Sequence, residues 1–144
     1  MLKLLVADDE RILREAVCYL IDWKSIGIEL AASCKNGREA YEEACRTKPD
    51  IILTDIKMPG LSGLDLVEKL SEPGRVLEFI LLTGYADFEY AHRALSHRVH
   101  HYLLKPCNEQ QIIEAVKQAA QSIYTRRQLQ QMEPTCAGVA RPEY

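Results

Sequence analysis

Residues 50–56 read Asp-Ile-Ile-Leu-Thr-Asp-Ile, and this stretch decides the fold class. A continuous apolar run of this kind suits a strand covered on both faces, as parallel strands flanked by helices are. Outward from it, short apolar runs alternate with longer amphipathic ones. Leu2–Ala7 reads as a first strand, and Ile12, Leu13, Ala16, Val17, Leu20 and Ile21 then fall at helical spacing, predicting a helix from Arg11 to Trp23. Ile28–Cys34 is β-like, and Asn36-Gly37 opens a second helix that Lys48-Pro49 closes. Ser62-Gly63 opens a third helix carrying Leu64, Leu66, Val67 and Leu70, and Pro73-Gly74 ends it. Phe79–Thr83 is a fourth strand, Asp87–His97 a fourth helix and Val99–Leu104 a fifth strand. Asn108 is the expected N-cap of a last helix, with Ile112, Ile113, Val116, Ala120 and Ile123 along one face.

Five repeats of strand then helix predict an α/β fold, a doubly wound five-stranded parallel sheet between helices with right-handed crossovers. One domain is expected over residues 1–125. Residues 126–144 differ in character: Arg126–Met132 can extend the last helix, and Pro134, Gly138 and Pro142 suit a linker or a disordered tail.

Composition narrows the function. The 144 residues are 47% hydrophobic and 27% charged, which excludes disordered and collagen-like classes. The net charge of −3 lacks the basic excess of a nucleic-acid surface. No stretch approaches the ~18 apolar residues of a membrane helix, and the apolar start stops at Asp8-Asp9-Glu10, too soon for a signal peptide. The five cysteines are scattered without C-x-x-C spacing, so reduced thiols in a cytoplasmic protein are expected.

In open α/β sheets, ligands bind beyond the carboxyl ends of the strands. Here the first strand ends in Asp8-Asp9, the third in Asp55, the fourth in Thr83 and the fifth in Lys105-Pro106. Crowded carboxylates repel one another unless a hard cation neutralises them, and their oxygens with one backbone carbonyl suit octahedral Mg2+. Asp55 can then act as a carboxylate nucleophile toward a phosphoryl group, with Lys105 and Thr83 neutralising and hydrogen-bonding its oxygens. Taken singly these residues are ordinary: a lone strand-end Asp is usually a cap, Thr-Gly a turn, and Lys-Pro carries nothing. Their joint occurrence, each at the end of a different strand, carries the reading.

Asp8-Asp9, the segment Asp55-Ile-Lys-Met-Pro-Gly60, Thr83 and Lys105-Pro106 resemble the receiver domain of two-component response regulators, over roughly residues 2–124. Trp23, the segment Leu82–Ala91 and Tyr102–Pro106 are similar to receivers that precede AraC-type helix-turn-helix domains. The resemblance implies a flavodoxin-like fold with strand order 2-1-3-4-5. It implies Asp55 as phosphoacceptor from a sensor histidine kinase, with Mg2+ held by Asp8, Asp9, Asp55 and the Lys57 backbone carbonyl. Lys105 would pair with the phosphoryl oxygens, and Thr83 and Tyr102 would form a switch pair on the face built from the fourth helix, fifth strand and last helix. A cis Lys105–Pro106 peptide, homodimerisation on phosphorylation, and DNA binding only through a separate output domain are further implications. No membrane role is implied.

Several positions depart from that pattern. Arg98 stands where a glycine is usual, a costly exchange if the backbone there is left-handed. His97, His100 and His101 are read as solvated histidines rather than metal ligands. The Lys57 side chain and Tyr85 are candidates for tuning the phosphoryl lifetime, and Arg126-Arg127 reads as a solvated linker face. Two alternatives are a stand-alone phosphorelay or docking receiver, and a Mg2+-dependent phosphatase with an aspartate nucleophile. The phosphatase reading lacks a general acid two residues after Asp55, where Lys57 stands, and lacks length for a substrate cap.

Overall fold

Period-two alternation along each strand sorts the apolar residues into two layers. In the computed structural model, which describes residues 1–72, 75–84, 89, 99 and 101–139 with side chains to residue 129, the strands are β1 (Leu2–Ala7), β2 (Ile28–Cys34), β3 (Ile51–Asp55), β4 (Glu78–Thr83) and β5 (His101–Leu104). All pairs are parallel, in the order β2-β1-β3-β4-β5. This is the strand order expected. One irregularity, between Leu4 and Leu5, shifts the β1–β2 register by a residue.

Leu4, Val6, Ile51, Leu53, Ile80 and Leu82 face one layer, where they meet α1 (Arg11–Tyr19) and the C-terminal helix (Glu109–Val139). Leu5, Ala7, Ile52, Phe79 and Leu81 face the other, against α2 (Gly37–Thr47) and α3 (Gly63–Leu70). Because helices cover both sides, β3 and β4 are buried at every position, which is why Ile51, Ile52 and Leu53 are apolar in succession. Each fully buried Leu or Ile contributes about 1.5–3 kcal/mol.

The caps follow local chemistry. Asn36 Oδ1 accepts from the Glu39 N–H at the start of α2, and Ser62 and Asp65 form a reciprocal capping box at α3. Asn108 and Gln111 exchange the same pair of bonds at the C-terminal helix. The first helix is shorter than its spacing predicts, ending at Tyr19 rather than Trp23. Trp23 instead sits in a 3-10 turn, Trp23–Ile26, where its indole Nε1–H donates 3.0 Å to the Val17 carbonyl, one of the acceptors the helix end leaves open. The expected fourth helix, Asp87–His97, and Arg98 lie outside the described residues apart from Glu89. The last helix runs on through Arg126–Met132 to Val139.

Two expectations are corrected at the far end of the sheet from the rim. His101 is not solvated: its side chain is 10% exposed, with Nε2 3.2 Å from Oε1 of Glu78. Arg126 and Arg127 are solvated, each 44% exposed, but they are ion-paired to the sheet rather than a free linker face. Arg126 pairs with the other oxygen of Glu78, itself 3% exposed, and Arg127 Nη2 donates 2.6 Å to Asp50 Oδ1, whose Oδ2 accepts from the Lys3 N–H. A buried carboxylate needs such partners, and strand β4 supplies one where a helix passes over it. Burial would raise the Glu78 pKa, but His101 and Arg126 more than reverse this and hold it below its usual 4.5.

Arg126→Met is therefore expected to cost about 1–3 kcal/mol at neutral pH. A carboxylate held below its ordinary pKa contributes stability above the unfolded value and loses it as pH falls through the folded one. The gap between variant and wild type in urea unfolding should accordingly narrow below pH 4.5. A gap independent of pH would contradict this role.

Candidate functional site: a carboxylate rim at the strand ends

Parallel pairing brings the carboxyl ends of β1, β3, β4 and β5 to one rim. Asp8 and Asp9 follow β1, Asp55 and Thr83 are the last residues of β3 and β4, and Lys105 follows β5. One oxygen from each of Asp8, Asp9 and Asp55 lies within 4.8 Å of the others.

Backbone contacts fix this arrangement. The Asp8 N–H donates to the Cys34 carbonyl at 3.1 Å, and the Asp8 carbonyl accepts 2.7 Å from Nη1 of Arg14. Asp8 Oδ1 accepts from the Glu10 N–H at 2.8 Å. Past Asp55, the Ile56 N–H donates to Leu82 and the Ile56 carbonyl accepts from Gly63 at 2.8 Å, closing the loop that carries Lys57. A Cβ at Gly63 would stand 2.5 Å from the Asp55 carbonyl, so only glycine lets α3 start this close to the rim. The Lys57 N–H points back to Asp55 Oδ1 at 3.4 Å. Asp9 and Lys57 share a surface cavity of about 530 Å3 with Met58 and Pro59.

Lys105 reaches the rim from the end of β5. Its N–H donates 2.8 Å to the Thr83 carbonyl, and the Lys105–Pro106 peptide is cis. Its Nζ donates to Asp55 Oδ2 at 2.9 Å and Glu10 Oε1 at 2.8 Å, and lies 3.2 Å from Asp8 Oδ2. Burial alone would lower the Lys105 pKa, but these carboxylates raise it well above its ordinary value. Burial pushes Asp8 the other way, above the usual carboxylate range, against the lowering pull of the Glu10 N–H and Lys105. Glu10, bonded to Lys105, is held below its ordinary value.

The donor set fits a hard divalent cation. Asp8 is 1% exposed, and its Oδ2 takes no hydrogen bond beyond the ion-pair contact with Lys105. A buried carboxylate oxygen left in this way, beside two further carboxylates and next to open solvent at Asp9, is a costly arrangement that a cation relieves.

Thr83 is 1% exposed, and its hydroxyl donates to the Gly84 carbonyl at 3.1 Å. Tyr102 pairs with Leu81 across β4–β5 and packs against the same cluster as Leu81, so Thr83, two residues on, shares its face of the sheet. Burial raises the Tyr102 phenol pKa. Tyr85, His97 and His100 lie outside the described residues. The free thiols of Cys18 and Cys34 are buried in the core, and burial pushes Cys34 up to about 12, leaving it a small apolar residue. Glu10 and Arg14 are the rim residues the sequence reading missed. The signal for Glu10 was its place directly after Asp8-Asp9, and for Arg14 its place one helical turn further on.

Comparison with known proteins agrees with this geometry. Residues 4–117 match the response regulator receiver domain family. The chain is 48% identical over 118 residues to the uncharacterized transcriptional regulatory protein YesN of Bacillus subtilis, covering 82% of this chain but 32% of YesN. Its fold is similar to the REC domain of AraT, a response regulator from Geobacillus stearothermophilus, at TM-score 0.80 and 36% identity, covering 88% of this chain and 98% of that one. It is also similar to a two component transcriptional regulator AraC from Clostridium phytofermentans, at TM-score 0.81 and 29% identity with the same coverage. With the strand order, the rim and the match over residues 4–117 in agreement, the chain belongs to the response regulator receiver domain family.

Proposed function

We propose that Asp55 accepts a phosphoryl group from a histidine of a sensor kinase and that this switches the face carrying Tyr102. The observation that supports this best is the rim itself: three carboxylates within 4.8 Å, one of them bonded to the Lys105 ammonium. An Asp55 oxygen attacks phosphorus, the P–N bond to the donor histidine breaks as the P–O bond forms, and the product is an aspartyl phosphate. Asp8, Asp9, Asp55 and the Lys57 backbone carbonyl would hold Mg2+, which when bound neutralises charge on the phosphoryl oxygens. Lys105 binds one phosphoryl oxygen, and the Thr83 hydroxyl turns from Gly84 toward another. The space vacated lets Tyr102 turn inward, a two-state element biased by a local charge change. Slow self-dephosphorylation, by water reaching the same phosphorus, resets the switch.

Residues 1–125 form the receiver and residues 126–144 lead out of it. Because the chain is similar to proteins described as transcriptional regulators, control of a DNA-binding output domain is the favoured reading over a stand-alone phosphorelay protein. Cytoplasmic placement accords with that role; among the described residues no helix is long and apolar enough to cross a membrane.

Beryllium fluoride, a phosphoryl mimic, should bind only with Mg2+ present. Binding without metal would contradict the site. Sedimentation should show a monomer becoming a dimer on adding beryllium fluoride and Mg2+, as the Tyr102 face changes. An unchanged monomer would mean that the output is reached by another route.

A further inference from the structure

The Lys105 ammonium carries three N–H groups, and three carboxylates surround it: Glu10 at 2.8 Å, Asp55 at 2.9 Å and Asp8 at 3.2 Å. On phosphorylation the Asp55 contact passes to a phosphoryl oxygen, and any second bond from Lys105 to the phosphoryl group competes with Asp8 and Glu10. Asp8 is buried and its other oxygen is held by the Glu10 N–H. Asp55 is the phosphorylated group itself. Glu10 is the remaining competitor. Its backbone is fixed at both ends, by that bond to Asp8 and by the Arg14 N–H donating 3.0 Å to its carbonyl, while its side chain is 63% exposed and can swing away.

We infer that Glu10 is a positioning residue that holds the Lys105 ammonium at the mouth of the rim and competes for it with a phosphoryl group on Asp55. The inference rests on the phosphoacceptor reading above. It makes Glu10 a brake on the switch: the unphosphorylated state keeps an ion pair that phosphorylation must open. Exposed ion pairs are weak, so the brake is modest, and removing it should tighten phosphoryl-mimic binding by about threefold to fivefold.

The test is a double-mutant cycle on this chain, reading beryllium fluoride affinity at saturating Mg2+ and low salt. Glu10→Gln keeps the shape and removes the charge. It should bind the mimic about threefold to fivefold tighter than wild type, and should make no difference in a Lys105→Met background. An unchanged affinity in Glu10→Gln overturns the inference. So does an equal gain with Lys105→Met, which would mean that the Glu10 charge repels the anion directly. A ligand-free reading guards against a Lys105→Met protein too weak to measure: the NMR signals of the Lys105 Cε methylene should move in Glu10→Gln, and stationary signals overturn the inference. Failure of the wild type itself to bind would bring down the phosphoacceptor reading and this inference together. The competition claim alone fails when the wild type binds normally and Glu10→Gln matches it.

Discussion

Asp55→Asn is expected to lower phosphorylation by a small phosphodonor by about a thousandfold or more, as removing a nucleophile does elsewhere. The amide keeps the shape of the carboxylate but offers no anionic oxygen to attack phosphorus. It also removes one of the three rim carboxylates, so a cation finds a weaker set of ligands. The variant should fold, because Lys105 keeps its contacts with Glu10 and Asp8, and losing one of several crowded like charges relieves repulsion. Circular dichroism and urea unfolding check the fold, and intact mass after incubation with phosphodonor and Mg2+ checks the chemistry. Labelling that persists in a folded Asp55→Asn protein would move the phosphoacceptor elsewhere.

Gly37→Ala is expected to cost about 3 kcal/mol, at the upper end for one added methyl group in a packed site. A Cβ there would lie 1.8 Å from the Leu61 carbonyl oxygen and 2.6 Å from its carbon. Both are backbone atoms, so no side-chain rotation relieves the clash, and the start of α2 must separate from the loop 56–62. That loop carries Lys57 and leads from Asp55 into α3, so mimic binding should weaken as well. Gly27→Ala is the control. Gly27 has φ +80° with nothing within 4 Å of its added Cβ, and should cost only about 1 kcal/mol for the left-handed backbone. Equal losses at the two positions would remove the close approach as the cause.

The strands and the convergence of Asp8, Asp9, Asp55, Thr83 and Lys105 were legible because both depend on local pattern. An apolar run covered on two sides reveals a parallel strand, and strand ends share one rim once the order of elements is known. What escaped depends on contacts between distant parts of the chain. Arg126 and His101 look solvated in isolation, yet both meet Glu78. Arg127 meets Asp50 across 77 residues. Nothing near Glu78 in the sequence announces that its carboxylate is buried. Helix spacing carried α1 to Trp23, because Leu20, Ile21 and Trp23 are apolar. In the fold, the Trp23 indole turns back to the Val17 carbonyl instead of adding a turn. Glu10 was hidden differently: next to two site aspartates it reads as one more acid, and only the reach of Lys105 from β5 gives it a partner.

The central claim, that the phosphoryl group resides on Asp55, has a direct measurement. Borohydride reduces an aspartyl phosphate to homoserine, and peptide mass spectrometry of the phosphorylated, reduced protein locates the converted residue. The account predicts homoserine at position 55 alone, dependent on Mg2+ during phosphorylation. Conversion at Asp8 or Asp9, or phosphate found on a histidine or a serine with Asp55 unmodified, would contradict it.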